Sequence, residues 1–191
     1  MDSISIRPAT AADAPFIARA IIMAIGEEIA MQFAETAERR PLVDRLFTEL
    51  AERDDSQYSY LNSHVAATAD GHVAGIVVAY DGARLRELRR AFTAKAAEIL
   101  GLDIDPETMA DETTPDEVYL DSLAVFPEYR GRGIAHSLIQ CAAEKAHALG
   151  KPLGLLCEPE NRPAETLYKS LGFKTIGRLP FAGVMMNHMR L

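Results

Sequence analysis

Cysteine is scarce in this chain: Cys141 and Cys157 are the only two. They lie in apolar surroundings without CxxC spacing, which argues against a disulfide framework and predicts buried, reduced thiols. The five histidines are scattered with no HExxH or other paired spacing, so no metal site is expected. Positive charge is in deficit. The formal net charge is -8, whereas a general nucleic-acid binder needs a basic stripe to displace counterions from phosphates. Long apolar runs are missing as well. No stretch of 18 apolar residues occurs, and Asp2 and Arg7 bracket only SISI, so neither a membrane span nor a leader is expected and the protein should be cytoplasmic. No repeat, low-complexity tract or linker interrupts the 191 residues, a length suited to a single domain over 1–191.

What is present alternates between helical and strand patterns. ISIRPA reads as a first strand, followed by a helix with Thr10 as N-cap, Asp13 three residues on, and apolar positions 14, 17, 18, 21, 22 and 25. A second helix follows Pro41, with Leu42, Leu46 and Leu50 on one stripe. Two β-rich runs joined by Asp70-Gly71 predict an antiparallel hairpin. Residues 84–117 then form an unusual segment. Its first part is an amphipathic helix with Leu85, Leu88, Phe92 and Ile99 aligned, and Arg86, Arg89, Arg90 and Lys95 mostly directed elsewhere. Its second part, 103–117, holds seven acids and no base and reads as a surface connection. A strand at VYLDSLAVF, a helix to 149, a strand at PLGLLCE, a helix at PAETLYKSLG and two closing strands complete the order β-α-α-β-β-α-β-α-β-α-β-β.

Between VYLDSLAVF and the next helix lies FPEYRGRGIAHSL. Gly131 and Gly133 let the chain turn so that amide N–H groups converge outside a helix N-terminus, and Arg130 and Arg132 add charge there. Such a point binds an anion, most naturally a phosphate. Neither a GxxxxGK loop nor the GxGxxG of a dinucleotide fold is present.

LAVFPEYRGRGIAHSLI resembles the acetyl-CoA loop of the GNAT superfamily of N-acetyltransferases, whose Arg, Gly and Ala signature is met by Arg130, Gly133 and Ala135. NRPAETLYKSLGF resembles the same superfamily's second signature, and the element order fits over residues 4–191. The resemblance implies an α/β fold with a central twisted mixed sheet flanked by helices, here with a helical insert between the third and fourth strands. It also implies that the strands at 118–126 and 153–158 splay apart around acetyl-pantetheine. Backbone groups of Leu123, Ala124 and Val125 would bond the pantetheine, while Arg130, Gly131, Arg132, Gly133, Ile134 and Ala135 would hold the pyrophosphate. Asn161 would bond the cofactor and Lys169 would reach its phosphates. Tyr168 stands where the family's tyrosine donates a proton to the departing sulfur.

The implied reaction moves an acetyl group from acetyl-CoA to a primary amine of a small molecule or peptide; the alternative is an acyl-CoA-binding sensor of the same fold. Presenting a lysine-like amine without its proton at neutral pH costs roughly 4–5 kcal/mol, so a carboxylate base is sought. Strand alternation puts Tyr119, Asp121, Leu123 and Val125 on one face, making Asp121 the first candidate; a bulge would break this count. Glu117 is the second candidate, and Glu27 or Glu28 the third. Nine acids against four bases over residues 27–55, with the acidic 103–117 segment, favour a cationic acceptor such as a polyamine, an amino-sugar, or a protein lysine or N-terminus. The helix of the insert could cap the acceptor pocket or build a homodimer interface. Pocket volume near Leu123 and Phe181 would decide the acyl length.

Overall fold

The computed structural model describes residues 4–191; Asp2, one of the two charges flanking SISI, lies outside them. Strand β1 (Ile4–Pro8) leads into a tight turn closed by Asp13. The Asp13 carboxylate accepts from Thr10 N at 2.8 Å and from the Thr10 hydroxyl at 3.0 Å, and pairs with Arg7 at 2.8 Å. The Arg7 bond foremost holds this carboxyl down at about 2, against the opposing effect of its burial. Helix α1 (Ala14–Ile25) starts from this anchored turn, burying Ile17, Ala18, Ile21 and Ile22 at the expected spacing.

Gly26 ends α1 with φ 84° and ψ 156°, a conformation nearly restricted to glycine. The chain restarts as α2 (Glu27–Ala34), a helix absent from the expected order. Its signals were two acids in a first turn and Ile29 and Phe33 four residues apart, but eight residues are too few for a strong periodic pattern. Helix α3 (Arg40–Glu52) buries Val43, Leu46, Phe47 and Leu50.

Strands β2 (Ser63–Thr68) and β3 (Val73–Asp81) form the hairpin that Asp70-Gly71 predicts, with Gly71 at φ 90°. After α4 (Leu85–Leu100) come β4 (Val118–Val125), α5 (Ile134–Ala148), β5 (Leu153–Cys157), α6 (Arg162–Ser170), β6 (Lys174–Phe181) and β7 (Val184–Arg190). The two closing strands meet at an Ala182-Gly183 turn with φ 47° and 80°, longer strands with a tighter turn than the sequence suggested.

Seven strands form one mixed sheet in the order β1-β2-β3-β4-β5-β7-β6, in which β4 and β5 make the parallel pair. This is the expected α/β class with a helical insert between its third and fourth strands. One face carries α1 to α4, whose core includes Ile17, Ile21, Leu46, Phe47, Ile76 and Phe92. The other face is covered by α5 and α6, with Leu138, Ile139, Val77, Leu120 and Leu155 at the centre.

The insert departs from its sequence reading in two places. Arg89, expected to point outward, is 1 % exposed; it donates to Met109 O at 3.0 Å and Ala110 O at 2.9 Å and pairs with Asp111 and Glu112. The acidic segment is consequently clamped onto α4 instead of running over the surface, and Glu112, Thr113 and Glu117 are buried. A fully buried guanidinium needs this density of acceptors, which a charge run alone does not reveal.

Candidate active site

Strands β4 and β5 pair over three rungs only, Val118–Leu120 with Leu153–Leu155. Beyond them β4 stays paired with β3 on its other side, and β5 with β7, so the sheet opens like a wedge. The opening begins at an irregularity in β4. Ser122 faces Val78 and Leu120 faces Ala79, leaving Asp121 as the extra residue of a bulge. Side-chain parity flips there. Val118 and Leu120 belong to the α5 side, and so do Leu123 and Val125. The expected face shared by Tyr119, Asp121, Leu123 and Val125 is therefore broken, because the bulge adds a residue to the count.

Asp121 lines a cavity of about 520 Å³ at this opening. Burial raises its carboxyl to about 7, a negative Glu112 nearby acts in the same direction, and hydrogen bonds from Ser122 and Gln57 oppose the shift. The Ser122 hydroxyl donates to Asp121 Oδ1 at 2.8 Å. Tyr168 lines the same cavity from α6, its ring 5.6 Å from that of Phe173. Its hydroxyl has no hydrogen-bond partner among the described residues, and desolvation pushes the phenol up to about 12. Leu123 and Asn161 also face the cavity, and Asn161 Oδ1 caps α6 by accepting from Ala164 N at 3.2 Å.

Glu27 and Glu28 reach the cavity from the first turn of α2, where Glu27 is paired with Arg40 at 2.7 Å. Glu117 does not line it. Its carboxylate is wholly buried, accepting from Thr113 Oγ1 at 2.7 Å and Arg190 Nε at 3.0 Å, with His188 Nε2 at 2.9 Å. It sits over Gly154, where an added Cβ would fall 2.2 Å from Glu117 Oε2. Glu117, the second candidate base, is thus corrected to a tie between the start of β4 and the end of β7. Glu117→Gln is expected to lower stability by about 3 kcal/mol or more, because Arg190 loses its buried counter-charge and His188 a carboxylate partner. Thermal unfolding alongside kcat per folded molecule checks this: stability should fall and kcat should hold.

The glycine loop follows β4. Gly131 and Gly133 have φ 75° and 77°, and a Cβ added to either meets nothing within 4 Å. No side chain caps the N-terminus of α5, which begins at Ile134 and Ala135. Arg130 Nε donates to Val125 O at 3.1 Å, while the exposed Arg132 guanidinium lies 5.5 Å from the Tyr129 ring centre. Lys169 is paired with Glu165 at 2.8 Å. An uncapped helix start, open space above two left-handed glycines and an unpaired strand edge at Leu123, Ala124 and Val125 together fit an extended ligand with a pyrophosphate end, as acyl-CoA is.

A second cavity of about 420 Å³ adjoins the first, sharing Ile25, Ile29, Gln32, Phe181 and Ala182 with it. Its remaining wall comes from Phe33 of α2, Phe47 of α3, Gln57, Tyr58, the insert and the turn between β6 and β7. Sequence reasoning missed Gln57 and Tyr58, which lie in irregular chain after α3. Both cysteines are free, Cys157 buried and Cys141 partly so. Among the described residues no cluster of His, Cys, Asp or Glu could hold a metal ion, and no helix is long and apolar enough to cross a membrane.

Comparison with solved structures gives a crystal structure of an acetyltransferase, 31% identical, with a TM-score of 0.77 over 97% of both chains. An N-acetyltransferase from Staphylococcus aureus Mu50 shares the fold at 23% identity, with a TM-score of 0.78 over 98% of this chain and 100% of that one. The NatC complex bound to Gag peptide and CoA shares it at 17% identity and a TM-score of 0.58, over 100% of this chain and 97% of that one. A comparison with curated proteins finds no match. The sequence matches the family model described as Acetyltransferase (GNAT) family over residues 26–173. That span includes the wedge between β4 and β5, the glycine loop and α6, and so the chain belongs to the GNAT acetyltransferase family, whose membership implies acyl transfer from an acyl-CoA.

Proposed function

We propose that the protein transfers an acetyl group from acetyl-CoA to the nitrogen of a primary amine, by direct attack in a ternary complex. Asp121 and Tyr168 facing one cavity, where β4 and β5 part, is the observation that supports this most. Bound acetyl-CoA supplies the activated acyl carbon. The backbone of Leu123, Ala124 and Val125 and the side chain of Asn161 orient the pantetheine arm, and residues 130–135 hold the pyrophosphate, with Lys169 free to leave Glu165 for a phosphate.

Asp121 receives the proton that the amine nitrogen sheds as its bond to carbon forms. At about 7 it is partly ionised at neutral pH, the range in which a general base works best. Tyr168 holds a proton for the sulfur as the carbon–sulfur bond breaks. Its elevated pKa keeps it in the donor form throughout the physiological range. The enzyme is proposed to be cytoplasmic and to need no metal.

Release of free CoA thiol from acetyl-CoA, measured across pooled polyamines, aminoglycosides, amino acids and aromatic amines, tests the reading. Acyl-CoA binding with no release in any pool would point to the sensor instead. Tyr168→Phe is expected to lower kcat by about 10²-fold or more with acetyl-CoA affinity little changed, because only the transferable proton is removed. An unaltered kcat would withdraw the acid role.

A further inference from the structure

The second cavity shares a wall with the one that Asp121 lines, and its composition differs from that of the first. Phe33 of α2, Phe47 of α3, Tyr58 and Phe92 of the insert line it as one aromatic cluster: Phe92 stacks on Phe47 at 6.4 Å and meets Phe33 and Tyr58 edge-on at 5.9 and 6.0 Å. Met109 and Phe181 complete an apolar wall. The cavity's polar lining includes Gln57 and Glu112, with Gln57 Nε2 donating toward Glu112 at 3.5 Å. Gln57 is 3 % exposed, and its Oε1 is buried with no hydrogen-bond partner among the described residues. A buried carbonyl oxygen without a donor is uncommon, and it marks a place where a ligand N–H would be accepted.

Several of the acids that suggested a polycation are held in ion pairs, whereas Glu28, which lines the first cavity, is in none among the described residues. Glu35 pairs with Arg39, Glu27 and Asp44 with Arg40, Glu49 with Arg45 and Lys95, and Glu112 with the buried Arg89. A long polyamine or an amino-sugar would bring several charges or hydroxyls into a chamber whose walls are mostly apolar and offer them few acceptors.

We infer that the second cavity is the acceptor's chamber and that the acceptor is a small primary amine bearing an aromatic-sized apolar arm. The nitrogen is presented past Gln57 toward Asp121 in the adjoining cavity, and the arm lies among Phe33, Phe92 and Met109. Gln57 Oε1, after a rotation of its amide, accepts one amine hydrogen while Asp121 takes the proton that is lost. This rests on the acyl-transfer reading above for the direction of presentation, but the chamber's preference stands on its lining.

The test uses the whole protein with CoA present. Calorimetric titration with 2-phenylethylamine is compared with spermidine and with kanamycin, and thiol release from acetyl-CoA is followed for each. Burying a phenyl arm predicts that 2-phenylethylamine binds about tenfold or more tightly than spermidine. Met109→Asp, which leaves the Met109 carbonyl bonded to Arg89, should weaken that amine about tenfold and leave CoA affinity unchanged; Gln57→Leu, keeping the volume, should do the same. Spermidine or kanamycin binding as well as 2-phenylethylamine overturns the inference while leaving the transferase intact. So does 2-phenylethylamine binding that neither variant weakens. Binding of 2-phenylethylamine that both variants weaken, with no thiol released, supports the chamber and removes the transferase reading.

Discussion

Asp121→Asn is expected to lower kcat/KM for acetyl transfer by about 10²–10⁴-fold and to erase a pH dependence centred near 7. The working form of a base is the ionised one, so the ratio of native to variant kcat/KM should rise with pH through about 7 and level off above it. The amine's own titration, near 10, raises the neutral fraction by the same factor per pH unit in both proteins and cancels in that ratio. The same substitution carries a second signature. The native state holds a proton on Asp121 at pH values where an unfolded chain, near 3.8, has already lost it, so this group's contribution to stability declines as pH rises from about 4 through 7. Above pH 7 the ligand-free Asn variant should therefore melt higher than the native protein, the gap between 3.8 and 7 setting an upper bound of about 4 kcal/mol. An Asp121 that merely supports structure would lower the melting temperature when replaced and leave the pH profile in place.

Gly133→Val is expected to cost about 100-fold or more in acyl-CoA affinity. Valine resists φ 77°, and its side chain would occupy the open space through which the loop amides approach a pyrophosphate. Strain alone cannot explain such a loss if the right control is chosen. Gly101, at the end of α4, has φ 67° and equally open surroundings but lies outside both cavities. Gly101→Val should suffer a comparable loss of thermal stability and bind acyl-CoA normally. Tight binding by Gly133→Val would remove the phosphate role of the loop.

The parts of this protein readable from its residues are those governed by short-range rules. Asp70-Gly71 fixes a hairpin, Thr10 and Asp13 anchor a helix start, and Gly131 with Gly133 mark a turn that only positive φ satisfies. The cavity shared by Asp121, Tyr168, Leu123 and Asn161 follows from two signatures that each place a residue at a strand or helix end. What could not be read depends on contacts distant in sequence. Glu117 looks like any acid before a strand, and only His188 and Arg190, brought in by the last strand, make it structural. Arg89 belongs to a helix face that would be solvated were Glu112 not folded back over it. The bulge at Asp121 is invisible because strand alternation assumes one residue per rung.

The insert leaves and rejoins the sheet at neighbouring rungs. Asp81 and Val118 are paired across β3 and β4, and Gly82 N bonds Glu117 O at 2.9 Å, so everything between them is, topologically, one oversized hairpin loop. Loop closure grows only with the logarithm of length, and lengthening a short turn roughly ninefold costs about 2 kcal/mol of chain entropy. Helix α4 can form locally before the rungs close, which shortens the effective search. Segments of other lengths could therefore be accommodated at this stalk without shifting the register of β4 or displacing Asp121, so that the insert's share of the second cavity's wall is separable from the strands that form the wedge.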